Sequence, residues 1–343
     1  MKIAVDAMGG DHAPQVVIDG AVEAVEDYGV EVILVGDEAK VAPLLAKKKY
    51  DRRRLSLVHA SEVIEMHDSP ALSVRRKKDS SMSVGVRLVR DGKADAFFSA
   101  GNTGAEVCAA TLILGLLPGV ERPGIATVMP SLKGEFLIID VGANVECKPI
   151  HLFQYAVMAS VYAELILGKS RPSVGLLNVG EEESKGSEFI KDTRDLLSRS
   201  HLNFIGNVEG KHIFDGDCDV IVCDGFVGNI ALKVSESLAE AIQKFLKREM
   251  LSTPAGVLGA MLLKPSFRRF KKEIDYSEYG GAPLLGVNGV AIIGHGRSNA
   301  NAIKNAIRVA KEEVEGKFND KLLEAINLET VSATANGKDV SIT

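Results

Sequence analysis

Ala94-Asp95-Ala96-Phe97-Phe98-Ser99-Ala100-Gly101-Asn102-Thr103-Gly104 reads as an apolar strand that runs straight into a glycine-and-polar corner, with a helix pattern following over Thr103 to Leu116. Five more corners follow apolar runs in the same way: Ala4-Val5-Asp6-Ala7-Met8-Gly9-Gly10-Asp11, Ile139-Asp140-Val141-Gly142-Ala143-Asn144, Asn178-Val179-Gly180-Glu181-Glu182, Cys223-Asp224-Gly225-Phe226-Val227-Gly228-Asn229 and Ile293-Gly294-His295-Gly296. In an open parallel sheet such corners lie at the carboxyl edge, where loop amides and helix N-termini point their donors. The pattern predicts one polar, anion-binding pocket at that edge.

Outward from that stretch, β-branched and apolar runs predict strands over Lys2 to Asp6, Glu31 to Val35, Leu55 to His59, Ser173 to Asn178, Asn203 to Gly206, Val220 to Cys223 and Val290 to Ile293. Helical patterns over Pro14 to Tyr28, Ser81 to Arg90, Lys148 to Leu167, Glu188 to Ser200 and Val227 to Arg248 lie between them. Strand and helix alternating at this spacing predict an α/β fold with a doubly wound, mainly parallel sheet. Ile125 to Met129 and Phe136 to Asp140, joined by Pro130-Ser131-Leu132-Lys133-Gly134-Glu135, predict a hairpin and so an antiparallel part.

After Arg248 the pattern changes. Residues 250–279 hold two short amphipathic segments, Pro254 to Leu263 and Pro265 to Ile274, with Pro265 predicted to break between them. Val257, Leu258, Met261 and Leu262 lie in the first, and Arg268, Arg269, Lys271 and Lys272 in the second. This apolar-then-basic order suits a protein partner or an anionic membrane surface, with a buried helical hairpin or dimer contact as the alternative. No linker composition divides the chain, so the reading is one α/β domain over residues 1–327 carrying this helical protrusion, and a flexible tail over 328–343.

The chain has 343 residues, 46% hydrophobic and 25% charged, which allows a large core. Its start, Met1-Lys2-Ile3-Ala4-Val5-Asp6, enters a strand pattern without the features of a secretory signal, and no apolar run approaches the length of a spanning helix. A net charge of −5 argues against a general nucleic-acid binder, although Arg52 to Arg54, Arg75 to Lys78 and Lys264 to Lys272 are locally basic. The four cysteines show no metal-ligand spacing and read as reduced packing thiols; Cys147 is the candidate nucleophile among them, without a histidine placed to activate it.

No corner carries GxGxxG or GxxxxGK[ST], so nucleotide binding loses its support. What remains is backbone amides beside glycines, with Asn102, Thr103, Asn144 and Asn229 as side-chain donors for phosphate or a phosphorylated small molecule. Asp6, Asp11, Asp140, Glu181, Glu182 and Asp224 could hold Mg²⁺, orient the donors, or cap helices. Lys185, where a helix begins, could neutralise phosphate or polarise a carbonyl. His295 could donate to an anion, carry a proton or serve structurally. Neither GxSxG nor HExxH is present, which points to chemistry without a protein nucleophile.

Taken together, the six corners, with Ala13-Pro14, Lys185-Gly186 and Tyr279-Gly280-Gly281-Ala282-Pro283-Leu284-Leu285-Gly286, closely resemble in the same order the bacterial phosphate acyltransferases of phospholipid synthesis, the PlsX family. The resemblance implies transfer of a long acyl chain from acyl-[acyl carrier protein] to inorganic phosphate, giving acyl phosphate and free carrier protein. It further implies a Rossmann-like α/β/α fold similar to phosphotransacetylases and isopropylmalate dehydrogenases, a homodimer, and a cytoplasmic location with peripheral contact to the inner face of the cell membrane. No nucleotide or organic cofactor is implied, and no residue is assigned to a metal. Phosphate is already an anionic nucleophile, so positioning and oxyanion stabilisation suffice. The resulting assignment gives Lys185, Asp224, His295 and Asn229 to catalysis. It gives Asp6, Gly9, Gly10, Gly101, Asn102, Thr103, Gly104, Asp140, Asn144, Glu182, Gly225, Gly228, Gly280 and Gly281 to substrate, and Val257, Leu258, Met261 and Leu262 to membrane contact. The alternatives are a short-chain phosphotransacetylase using acyl-CoA, a decarboxylating dehydrogenase, and a non-catalytic phosphate-binding or membrane-scaffold protein.

Overall fold

A computed structural model describes residues 1–274 and 276–335. Among these, one sheet contains β1 (Lys2–Asp6), β2 (Glu31–Gly36), β3 (Leu55–His59), β4 (Ala96–Ser99), β5 (Gly124–Ser131), β6 (Gly134–Ile139), β7 (Ser173–Asn178), β8 (Asn203–Glu209), β9 (Val220–Val222), β10 (Ala282–Leu285) and β11 (Val290–Ile293). The helices are α1 (Gln15–Tyr28), α2 (Glu38–Leu45), α3 (Pro70–Arg76), α4 (Ser81–Arg90), α5 (Thr103–Ile113), α6 (Pro149–Leu165), α7 (Glu188–Ser198), α8 (Gly225–Met250), α9 (Pro254–Ile274), α10 (Tyr276–Tyr279), α11 (Ala300–Glu315) and α12 (Phe318–Ala335).

The strand order is β3-β2-β1-β4-β11-β10-β5-β6-β9-β7-β8. Pairing is parallel from β3 to β11 and again from β6 to β8. The intervening pairs β11–β10, β10–β5 and β5–β6 are antiparallel, and β5–β6 is the expected hairpin. Three reversals make the two parallel sets run in opposite directions. The six corners therefore do not share one carboxyl edge, which corrects the single-edge expectation. The reversal begins with β10, a four-residue strand containing Pro283, too short to announce itself as a strand.

Central strands such as β1 and β4 are buried on both faces, as parallel strands sandwiched between helices must be. Ile3, Val5, Ile18, Ile303 and Ile307 form part of one core layer, and Val86, Phe97, Ala109 and Ile138 part of another. On the second parallel set, α6 is apolar nearly all round and buries Leu152, Tyr155, Met158 and Tyr162 among sheet residues and the Phe318, Leu322 and Ile326 face of α12.

Two helices differ from the sequence expectation. Helix α9 runs unbroken through Pro265, because the proline costs one backbone hydrogen bond while its neighbours, Met261 to Lys264 and Arg268 to Arg269, are mostly good helix formers. Helix α12 continues past Leu328, where the tail was expected to begin; buried Glu329 accepts the His201 N–H at 3.2 Å and pins that turn. Residues 336–343 lie outside the described residues.

Candidate active site

The first donor cluster sits at the ends of β1, β4 and β11. Asp6 is buried, one carboxylate oxygen accepting from Met8 N at 3.0 Å and the other from the Ser99 hydroxyl at 2.8 Å. Ser99 Oγ in turn accepts from Gly101 N at 3.0 Å. Burial pushes the Asp6 carboxyl up, while hydrogen bonds from Ser81, Met8, Ser99 and Gly9 oppose it. Gly9 is a close-approach position: a side-chain carbon there would stand 2.8 Å from both Gly101 N and Asp6 Oδ2. Asp11 N donates to Gly296 O at 2.8 Å, tying the first corner to the last.

Thr103 at the start of α5 faces the cleft. Asn102, assigned above as an anion donor, is already committed. Its oxygen caps α5 at Ala105 N, and its amide donates to the carbonyls of Glu65, Met66 and Asp68 at 3.2, 3.1 and 3.1 Å. Gly104 gives room to Pro70 rather than to a ligand. His295 Nδ1 accepts from Arg297 N at 3.2 Å, and burial first, then the nearby Lys233 charge, lower its pKa. With Nδ1 accepting, the neutral ring carries its proton on Nε2.

The second cluster sits at the ends of β6 and β9. Buried Asp140 gathers the amides of Ile125, Gly142 and Ala143 on Oδ1 at 3.1, 3.0 and 2.8 Å, and that of Asn144 on Oδ2 at 2.8 Å. Burial raises its pKa against these bonds. The Asn144 amide donates to Pro123 O at 2.6 Å and Tyr155 OH at 2.8 Å, so Asn144, like Asn102, braces the corner instead of reaching an anion. Asp224 caps α8, accepting from Phe226 N and Val227 N at 2.9 Å each. Asn229 is exposed on the first turns of α8, beside Gly142, and lines the cleft. Gly225 N donates to Asn144 O at 2.9 Å, and Gly228 presses on the Asp140 backbone.

The corner after β7 forms the third edge. Asn178 Nδ2 donates to Lys185 O at 3.2 Å, and Lys185 N to Glu182 O at 3.1 Å. His212 Nε2 lies 2.9 Å from Glu181 Oε1, and its Nδ1 lies 2.5 Å from Asp215. The Lys185 and Glu182 side chains are exposed at this rim. Gly280 and Gly281 line the cleft but owe their lack of a side chain to α11 and Ile292 behind them.

The clusters open onto one cleft of about 1610 Å³. Asp11, Thr103 and His295 reach it from one parallel set, and Asp224, Asn229, Asn178 and Gly186 from the other. Between them lie the β5 residues Ile125, Thr127 and Met129 and the α8 residues Ile230, Val234 and Leu238. The apolar wall was not visible in the sequence: alternation along β5 looks like core, and the α8 residues Val234, Leu238, Ile242 and Phe245, at helical spacing, look like a packing stripe although they are exposed. The Cys147 thiol, pushed up to about 11 by burial and then by Asp140, is not a thiolate near neutral pH.

Such a cleft, with Thr103 and His295 from one parallel set and Asn229 from the oppositely directed one beside an apolar wall, suits the handling of an anion beside an apolar group. A family model described as "Fatty acid synthesis protein" matches residues 1–321. The chain is 54% identical over 327 residues to the phosphate acyltransferase of Thermodesulfovibrio yellowstonii, covering 95% of this chain and 94% of that one. It is 53% identical to that of Desulfitobacterium hafniense, covering 94% and 96%. Among solved structures, a phosphotransacetylase from Streptococcus pyogenes matches with a TM-score of 0.62 at 18% identity, covering 92% and 94%. The EutD phosphotransacetylase from Staphylococcus aureus matches at 0.60 and 19%, with the same coverage. These structures share the fold. The chain belongs to the phosphate acyltransferase family.

Proposed function

We propose that this protein transfers a long acyl chain from acyl-[acyl carrier protein] to inorganic phosphate, supplying acyl phosphate to phospholipid synthesis. The observation that carries this reading is the juxtaposition of Thr103 and His295 from one parallel set and Asn229 from the other across a cleft that continues into a large apolar volume. A phosphate oxygen attacks the thioester carbonyl carbon; the C–O bond forms, the C–S bond breaks, and the carrier thiolate leaves and is protonated by solvent. Thr103, at the α5 N-terminus, and the Asn229 side chain hold phosphate, with Lys185 supplying charge at the rim. His295 Nε2–H meets the developing oxyanion, where a fixed donor acts most strongly. Asp6, Asp140 and Asp224 hold the donor backbone in place. The size of the apolar lining favours a long chain over an acetyl group.

The exposed Arg75, Arg76 and Lys78 stand on α3 and just after it, and suit an acidic carrier protein. Exposed Leu258, Met261 and Leu262, with Val257 and the cations Lys264, Arg268 and Arg269, suit peripheral contact with an anionic membrane; no helix among the described residues is long and apolar enough to cross one. The apolar stripe of α8 suits a second copy of the chain, which a sedimentation mass of one chain alone would refute. The test of the reaction is carrier-protein release from palmitoyl-[acyl carrier protein] with and without phosphate, the product identified by mass spectrometry. Phosphate-dependent acyl phosphate is expected; inertness with carrier-bound and CoA-bound donors alike would refute the reading.

A further inference from the structure

We propose that the tip of the β5–β6 hairpin and the loop after β8 form the end wall of the cleft and set the acyl length it accepts, an inference that rests on the acyl-transfer reading above. Strand β5 pairs with β10 only at Gly124 and Ile125 and then continues with β6 alone to Ser131. At ~3.3 Å per residue, that places Ser131 roughly 20 Å from Ile125. The Asp140 corner, with Asn229 and Asp224, lies at the Ile125 end. Ile125, Thr127, Val128, Met129 and Pro130 line the cleft, so β5 gives it a largely apolar floor that runs from the Asp140 corner to the hairpin tip.

At the far end Ile213 and Phe214 reach the same cleft from the loop after β8. Hairpin and loop hold each other. Leu132 N donates to Phe214 O at 2.9 Å, Lys133 pairs with Asp217, and the Phe214 ring stands edge-on to buried Phe136 at 5.9 Å and 82°. Gly216 lies against the Lys133 backbone, where a side-chain carbon would come within 2.9 Å of Lys133 N. Met129 and Ile213 pack on the same buried cluster. A braced wall of Met129, Ile213 and Phe214 offers apolar contact to a chain terminus. Each further methylene adds about 0.8 kcal/mol of burial, close to fourfold in affinity, until the terminus reaches the wall, after which longer chains must displace it.

The test measures kcat/KM for dodecanoyl, hexadecanoyl and octadecanoyl carrier thioesters, each normalised to a butyryl donor that ends short of the wall. Met129→Trp should lower the octadecanoyl-to-dodecanoyl ratio about 10-fold, and Phe214→Ala should raise it. Met129→Trp adds bulk at a cleft-facing position and keeps the test open if Phe214→Ala disturbs the Phe136 contact. An unchanged ratio in Met129→Trp, with wild-type turnover intact, overturns the wall alone. Absence of phosphate-dependent turnover by the wild-type protein with every donor overturns the acyl-transfer reading and the wall with it.

Discussion

The carbonyl oxygen of Asp140 occupies the space that a side chain on Gly228 would need, so the first turn of α8 is pressed against the corner that ends β6. Through this contact the corner held by Asp140 and the α8 N-terminus capped by Asp224 are set against each other. Gly228→Ala forces them apart. We expect a loss of about 1–3 kcal/mol in stability, read as a lower Tm, together with a larger fractional loss of turnover than the Tm shift explains. A variant with wild-type Tm and turnover would show the contact to be slack.

Glu106 is wholly buried in α5, and neither of its oxygens has a hydrogen-bond partner among the described residues. Burial, and secondarily the charge of Asp6, hold its pKa well above the usual carboxylate range. The unfolded chain releases this proton near pH 4.3, so between that value and the raised folded pKa the folded state binds one proton more. Stability in that window falls by about 1.4 kcal/mol per pH unit as pH rises. Glu106→Gln lacks this dependence, and its Tm advantage over wild type should widen as pH rises above the unfolded value of about 4.3. A constant difference would contradict the assignment of a neutral Glu106.

In the proposed reaction His295 is a neutral donor, its pKa lowered by burial. Protonation should then appear only below the ordinary histidine value of about 6.5, leaving turnover flat above it. His295→Ala should lose about 10²-fold in kcat with little change in Tm, and His295→Gln should recover part of the loss. An acid limb well above neutrality that disappears in His295→Gln would instead indicate a proton carrier.

Lys185→Ala should lower kcat/KM for phosphate about 10²-fold while leaving the fold intact, because the side chain is exposed at the rim. Unchanged turnover would remove Lys185 from the reaction.

Leu258→Glu combined with Leu262→Glu should abolish flotation with anionic vesicles, since both side chains are exposed on α9. Retained flotation would sink the membrane assignment.

The strand ends, their corners and the β5–β6 hairpin were legible because each pairs a local periodicity with glycine and cap residues. The opposite direction of the two parallel sets was not. It depends on β10, whose Ala282–Leu285 run is short and carries a proline, and on long-range pairing that no local pattern encodes. Among the donors, Thr103 and Asn229 open to the cleft while Asn102 and Asn144 are consumed by carbonyls and Tyr155. Residue type is the same in both roles, and only the neighbours separate them. The apolar wall stayed hidden because Met129 and Phe214 have the composition of core, and Pro265 misled because a helix survives one missing hydrogen bond.

The central claim is direct attack by phosphate, without an acyl-enzyme. Intact-protein mass spectrometry during incubation with palmitoyl-[acyl carrier protein] tests it most directly, first without phosphate and then with it. The account predicts an unmodified protein mass and no carrier release until phosphate is added, then acyl phosphate. A protein mass raised by one palmitoyl group before phosphate is present, and discharged on its addition, would contradict it.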